Sequence, residues 1–164
     1  MSNRIFNSDV KLDDIPVESL QTLFTYWNEI RGSRAMPARV DIEPARLASI
    51  LPMLVLIDVE SDPMRFKIRL MGSENVKVAG EDMTGRYIET LNSYDRLYEN
   101  LTWLVDNRLP YLACGTVDWR AKNYMSYHTL GLPLSDNDRD VNMILFGFYY
   151  FFNNAAGNGG PQQI

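Results

Sequence analysis

The run "VNMILFGFYYFF", residues 141–152, is apolar on both faces when read as a strand. A strand with one side in water alternates apolar and polar residues, so a run without alternation has to be covered on both sides and belongs inside a sheet. This segment therefore constrains the rest of the chain, which must supply a strand for each of its edges and layers for both of its faces.

The neighbouring strands are legible. "MLVLIDVE" is an apolar, β-branched run, "SDPM" supplies a turn, and "RFKIRLMG" alternates Phe66, Ile68 and Leu70 with Arg65, Lys67 and Arg69. Together they read as an antiparallel hairpin with one face half exposed. "YLACGTVDWR" and "YMSYHTLGLPLS" give two more strands, and the polar turn "SDNDRD" leads into the last. Placing the last strand beside the first gives it a neighbour on each edge.

Helices separate the two strand groups. In "PVESLQTLFTYWNEIRG", Leu20, Leu23, Phe24, Trp27 and Ile30 fall at helical spacing between Pro16 and Gly32, which predicts an amphipathic helix over residues 17–31. Its stripe has two uses open to it: packing on its own domain, or on a second subunit as a dimer helix. "MPARVDIEPARLASILP" reads as a loop and one short helix, with Asp41 as cap, Pro44 in the first turn and Pro52 as the stop. "SYDRLYENLTWLVDNRLP" is a second amphipathic helix, with Leu97, Leu101, Leu104 and Val105 on one side. Residues 1–16 read as a flexible N-terminus, residues 17–152 as one domain, and the Gly/Asn/Gln-rich residues 153–164 as a disordered tail. The order gives an α+β layout.

The inventory for catalysis is thin. The 164 residues carry a net charge of −5, one cysteine (Cys114) and one histidine (His128). A zinc site ordinarily draws on several Cys or His ligands, and a basic face for nucleic acid is not expected from this balance. No run is long and apolar enough for a membrane helix or a secretory leader, so a cytoplasmic protein is expected.

"GEDMTGRY", residues 80–87, spaces Gly80 and Gly85 as a phosphate loop would. Arg86 and Tyr87 stand where the lysine and the hydroxyl residue belong, Glu81 and Asp82 would repel phosphate, and no buried strand precedes the loop. The glycines read instead as hinges between short helices, with Thr84 capping the turn and Met83 and Tyr87 as candidates to point inward.

Three stretches carry a family resemblance: "YWNEIRGSRAMPARVDIEPARLASILPMLVLIDVE", "RFKIRLMGSENVKVAGEDMTGRYIETL" and "LPLSDNDRDVNMILFGF". Over residues 20–150 the chain resembles the single-domain bacterial PAS family common in alphaproteobacteria. The resemblance implies a PAS-like fold: a five-stranded antiparallel sheet, short helices arching over one face, and an N-terminal amphipathic helix. It implies a non-enzymatic sensor or adaptor that binds a small molecule or protein and signals in trans, often as a homodimer. It carries over no catalytic residue and no cofactor.

Candidate residues follow. A pocket between helices and sheet would draw on Met71, Met83, Tyr87, Leu101, Trp103, Leu104, Cys114, Tyr127, His128 and Phe146, with Tyr111 and Trp119 also in reach. The same nineteen aromatic rings could instead fill the core completely, leaving a module that acts by protein contact alone. His128 as a haem ligand and Cys114 as a flavin-adduct cysteine are both set aside. His128 is a lone strand histidine, and Cys114 lies in a strand without the motif the resemblance would require. Arg39, Asp41, Glu43 and Arg46 read either as a partner-docking loop or as local caps and ion pairs. A cone-shaped isomerase-like enzyme would need a carboxylate beside a tyrosine in an apolar cavity, and Asp118 with Tyr127 is the one candidate pair.

Overall fold

The computed structural model describes residues 5–117 and 122–153. Its sheet is antiparallel throughout, built from β1 (Ile5–Asn7), β2 (Leu54–Glu60), β3 (Arg65–Met71), β4 (Tyr111–Val117), β5 (Lys122–Leu134) and β6 (Met143–Phe152) in the spatial order β1-β4-β5-β6-β2-β3. The doubly apolar run is β6, and it pairs with β5 on one edge and β2 on the other. Three α-helices, α1 (Glu18–Arg31), α2 (Ser73–Ala79) and α3 (Asp95–Asn107), complete the described secondary structure together with short 3-10 turns.

The described sheet has six strands, where five were expected. The extra one, β1, comes from the stretch read as a flexible N-terminus, and it pairs Phe6 opposite Ala113 of β4. Its anchor is aromatic: the Phe6 ring meets Trp103 edge-on at 5.1 Å and lies 5.1 Å from Tyr111. Ile15, just before α1, is buried as well. Three residues are too few to show a period, so nothing in the sequence announced the strand. Of the expected tail, residues 154–164 lie outside the described residues.

Helix α1 crosses β5 and β6 on what we call the outer face of the sheet. Gly147 of β6 makes this approach available: a Cβ there would stand 2.6 Å from Leu23 Cδ2 and 2.9 Å from Leu20 Cδ2. The Trp27 indole N–H donates to the Pro133 carbonyl at 2.9 Å. Leu20, Leu23 and Trp27 are therefore used up inside the subunit, and only Phe24 and Ile30 of the proposed dimer stripe remain partly exposed.

Two local readings are corrected. A β-bulge interrupts the β2–β3 pairing after Leu56, so that Leu56 faces Leu70 and Ile57 faces Ile68. The extra residue reverses the alternation, and Leu70, expected beside Phe66 and Ile68, is 48% exposed while they are buried. The single short helix expected in residues 36–52 is three 3-10 turns, Arg39–Asp41, Pro44–Leu47 and Leu51–Met53. Asp41 does not cap forward: its carboxylate accepts from the Ala38 N–H at 2.7 Å and pairs with Arg34 at 2.8 Å. The segment is also tied to the far end of the sheet, because Asp138 in the β5–β6 turn accepts from the Ala35 and Met36 amides at 2.9 and 3.1 Å.

Candidate functional site

The inner face of the sheet, opposite α1, is treated differently. An arch of α2, residues 80–93 and the start of α3 stands over it and leaves a cavity of about 240 Å³. The floor is apolar where β2, β3 and β6 meet, through Val55, Ile57, Ile68, Phe146 and Phe148. It turns polar towards β5 and the end of β6, where Tyr127, Thr129 and Tyr150 line the space. The arch contributes Asn75 and Ala79 of α2, then Met83, Arg86, Ile88 and Leu91, then Tyr94, Leu97 and Asn100.

Asn75, Thr129 and Tyr150 are polar lining residues that the sequence reading does not include, and Asn75 is central among them. With Val78 and Ala79 it forms the buried i, i+3, i+4 face of α2, and it is 2% exposed. Its amide donates to the Leu54 carbonyl at 3.2 Å and its oxygen accepts from the Tyr150 hydroxyl at 2.7 Å. Burial pushes the Tyr150 hydroxyl well above the usual phenol range, so it stays protonated as a donor. The Thr129 hydroxyl donates to the Gly147 carbonyl at 3.0 Å. The signal that could have revealed Asn75 is its i, i+3, i+4 spacing from Val78 and Ala79.

The arch is fastened at the free edge of β3. Gly85 N–H donates to the Ile68 carbonyl at 2.7 Å, and Ile68 N–H donates to the Arg86 carbonyl at 2.9 Å. These bonds, and the bridge between Lys67 and Tyr87, explain the spacing in "GEDMTGRY". Gly85 has φ +89°, and a Cβ there would meet nothing within 4 Å, so backbone conformation rather than space requires glycine. Thr84 does not cap the Gly85 turn; its hydroxyl and amide both donate to Asp82. At the mouth, Arg86 and Glu81 pair at 3.4 Å.

Side chains reinforce the fastening. Arg65 pairs with Glu89 at 2.6 Å and lies 3.5 Å from the centre of the Tyr87 ring, while the Tyr87 hydroxyl donates to Glu60 at 3.0 Å. Partial burial pushes the Glu89 carboxyl up, but the Arg65 hydrogen bond and charge, with a backbone hydrogen bond, outweigh it and hold the group below the usual carboxylate range.

Of the ten expected pocket residues, Met71, Met83, Tyr127 and Phe146 line the cavity. Tyr87 does not: its bridge partner Lys67 sits on the side of β3 opposite Ile68, and Tyr87 follows it. Cys114 and His128 are partners in the β4–β5 register, and strand alternation sends both to the outer face while Ala113, Tyr127 and Thr129 point inward. His128 stacks on Phe151 at 5.1 Å there, so it offers nothing to a group held in the cavity. Leu101 and Leu104 are fully buried in the main core rather than at the cavity wall, and Trp103 is turned towards Phe6. Asp118 and Trp119 lie outside the described residues.

The proposed partner loop is locally tied. Arg46 makes two contacts to Glu29 at 3.0 and 2.9 Å and sits 4.8 Å over the Tyr26 ring. Glu43 N–H donates to the Tyr26 hydroxyl at 2.8 Å, and Asp41 is paired as described. Arg39 is partly exposed in the first of the 3-10 turns. Among the described residues no cluster of His, Cys, Asp and Glu could hold a metal, and no helix is long and apolar enough to cross a membrane.

Comparison with known proteins agrees with this architecture. None of the curated proteins matches the chain. A family model described as a PAS domain matches residues 15–149, from the buried Ile15 into β6. PAS domains are generally non-enzymatic sensory or interaction modules. With the six-stranded antiparallel sheet, the arch over its inner face and a match across most of its length, this chain belongs to the PAS-domain family.

Proposed function

We propose that the protein is a sensor or adaptor that takes a small molecule into the inner-face cavity and passes on its occupancy in trans to a partner protein. The observation that carries this reading is the cavity of about 240 Å³ left in an otherwise well-filled core. Cores are ordinarily close-packed, and an apolar space with a few convergent polar groups is the usual form of a ligand site. The arch offers a route outward: Met83, Arg86 and Ile88 touch the cavity, and Tyr87 between them faces the opposite way onto Glu60 and Arg65.

Catalysis is not part of the proposal. The charged side chains lining the space are Glu81 and Arg86, and they pair with each other at the mouth. The remaining polar groups are amides and hydroxyls, which bind and orient but do not supply a general base at neutral pH.

The test compares the wild type with A79F, which places a ring in the cavity from α2. Fragments of up to about a dozen heavy atoms should raise the melting temperature of the wild type and leave A79F unmoved. A fragment library that shifts neither protein, or both equally, overturns the ligand reading and leaves a module that works by protein contact.

A further inference from the structure

We propose that the cavity selects an electrically neutral, largely apolar molecule of about ten heavy atoms that carries one oxygen, and that the Asn75 side-chain amide reads that oxygen. The inference rests on the reading of the cavity as a ligand site.

Size comes from volume. An engineered apolar cavity of about 150 Å³ accepts benzene; the space here, about 240 Å³, is larger by more than half. That corresponds to about ten non-hydrogen atoms, a bicyclic ring or a substituted single ring. It lies below the range of roughly 300–1,000 Å³ typical of pockets for drug-sized ligands.

Charge comes from the lining. Glu81 and Arg86 stand at the exposed mouth and neutralise each other. Deeper in, the ligand would meet Val55, Ile57, Ile68, Phe146 and Phe148, which give an ion no compensation for lost water. A carboxylate or ammonium group held there would be unpaired.

Polarity comes from the hydrogen-bond inventory of Asn75. A primary amide has two N–H donors and an acceptor oxygen. The oxygen is taken by Tyr150 and one N–H by the Leu54 carbonyl. Among the described residues the second N–H has no partner, although Asn75 is 2% exposed and lines the cavity. A buried donor without a partner is costly, and a ligand oxygen is the group that relieves it. The hydroxyl oxygens of Tyr150 and Thr129 spend their protons on Asn75 and Gly147 and keep acceptor capacity. A ligand hydroxyl can therefore accept from Asn75 and donate to the Tyr150 oxygen beside it, the member of the same buried pair.

The experiment uses three probes of one shape: 2-naphthol, naphthalene and 2-naphthoate, titrated by fluorescence into the full chain. Naphthol should bind about tenfold tighter than naphthalene, the worth of one neutral hydrogen bond made to a buried donor, and naphthoate should bind worst. In the N75L/Y150F double variant, which removes both members of the buried pair together, naphthol and naphthalene should bind alike. Leu54 keeps a donor there, because its carbonyl also accepts from the Gly72 N–H at 2.8 Å. As a readout independent of that variant's folding, naphthol should move an Asn75 side-chain amide proton of the wild type further downfield than naphthalene does, because both rings shift it and only naphthol hydrogen-bonds it. Equal binding of naphthol and naphthalene to the wild type, tightest binding of naphthoate, or a naphthol preference that survives in the double variant overturns the inference while leaving the cavity a ligand site. Failure of all three probes, together with a fragment library that never separates the wild type from A79F, removes the ligand reading itself.

Discussion

The two faces of one sheet are finished in opposite ways. On the outer face α1 lies directly on bare backbone at Gly147, with Leu20 and Leu23 filling the position a side chain would have taken. On the inner face the arch rests on the β3 edge and on α3, and its centre stands clear of the floor. A single long helix with a regular stripe gives close contact. A series of short turns, hinged at glycines and fastened at one edge, gives a roof. The same strands supply both surfaces, so the difference lies in the covering elements and not in the sheet.

The contrast is open to attack at its strongest point first. Truncating Leu23, fully buried against β6, should cost about 3 kcal/mol in urea denaturation, the usual range for a leucine lost from a close-packed site. A loss below about 1 kcal/mol would mean that the outer face is as loosely filled as the inner one. Adding atoms should then separate the faces by sign. G147A pushes a methyl against Leu20 and Leu23 and should destabilise by about 1–2 kcal/mol. A113V adds carbon where the lining borders empty space and should be neutral or stabilising by up to about 1 kcal/mol. Equal penalties in both variants would dissolve the distinction.

The smallest effect concerns how far α1 covers its face. His128 lies on the outer face and is half-buried. Burial lowers the folded imidazole below its ordinary value of 6.5. The unfolded chain therefore takes the proton first, and stability is lost as pH falls below about 6.5. H128F, which keeps a ring against Phe151, should lose less stability than the wild type between pH 7.5 and 5.5, measured by urea midpoints. Identical losses would place His128 in water and extend the uncovered part of the face.

Much of the frame was written in local pattern. The doubly apolar β6, the β2–β3 hairpin and the stripes of α1 and α3 all follow from periods that a window of ten residues contains. The family match is consistent with that reading. Several features that failed to show depend on strand register. One residue of bulge turned Leu70 outward. One step along β4 and β5 separates Ala113 and Tyr127 in the cavity from Cys114 and His128 outside it, and tyrosine and histidine are amphipathic enough to suit either face. Asn75 is hard to read because the segment "SENVKVA" is only seven residues long, too short for its spacing from Val78 and Ala79 to stand out as a face.

The sheet order also has a consequence for synthesis. Without β6 the strand pairings fall into two separate pieces, β2 with β3 and β1 with β4 and β5, and the pairings that unite them, such as Leu54 with Gly147 and Thr129 with Phe148, all need the last strand. Roughly ninety residues separate the end of β2 from the end of β6, which a ribosome adds in about 5–20 s. For that interval the apolar β2 presents an open edge and α1 has no Gly147 to lie on. Such an edge is a template for wrong pairing, and in a chain of this topology it stays open until the final strand emerges.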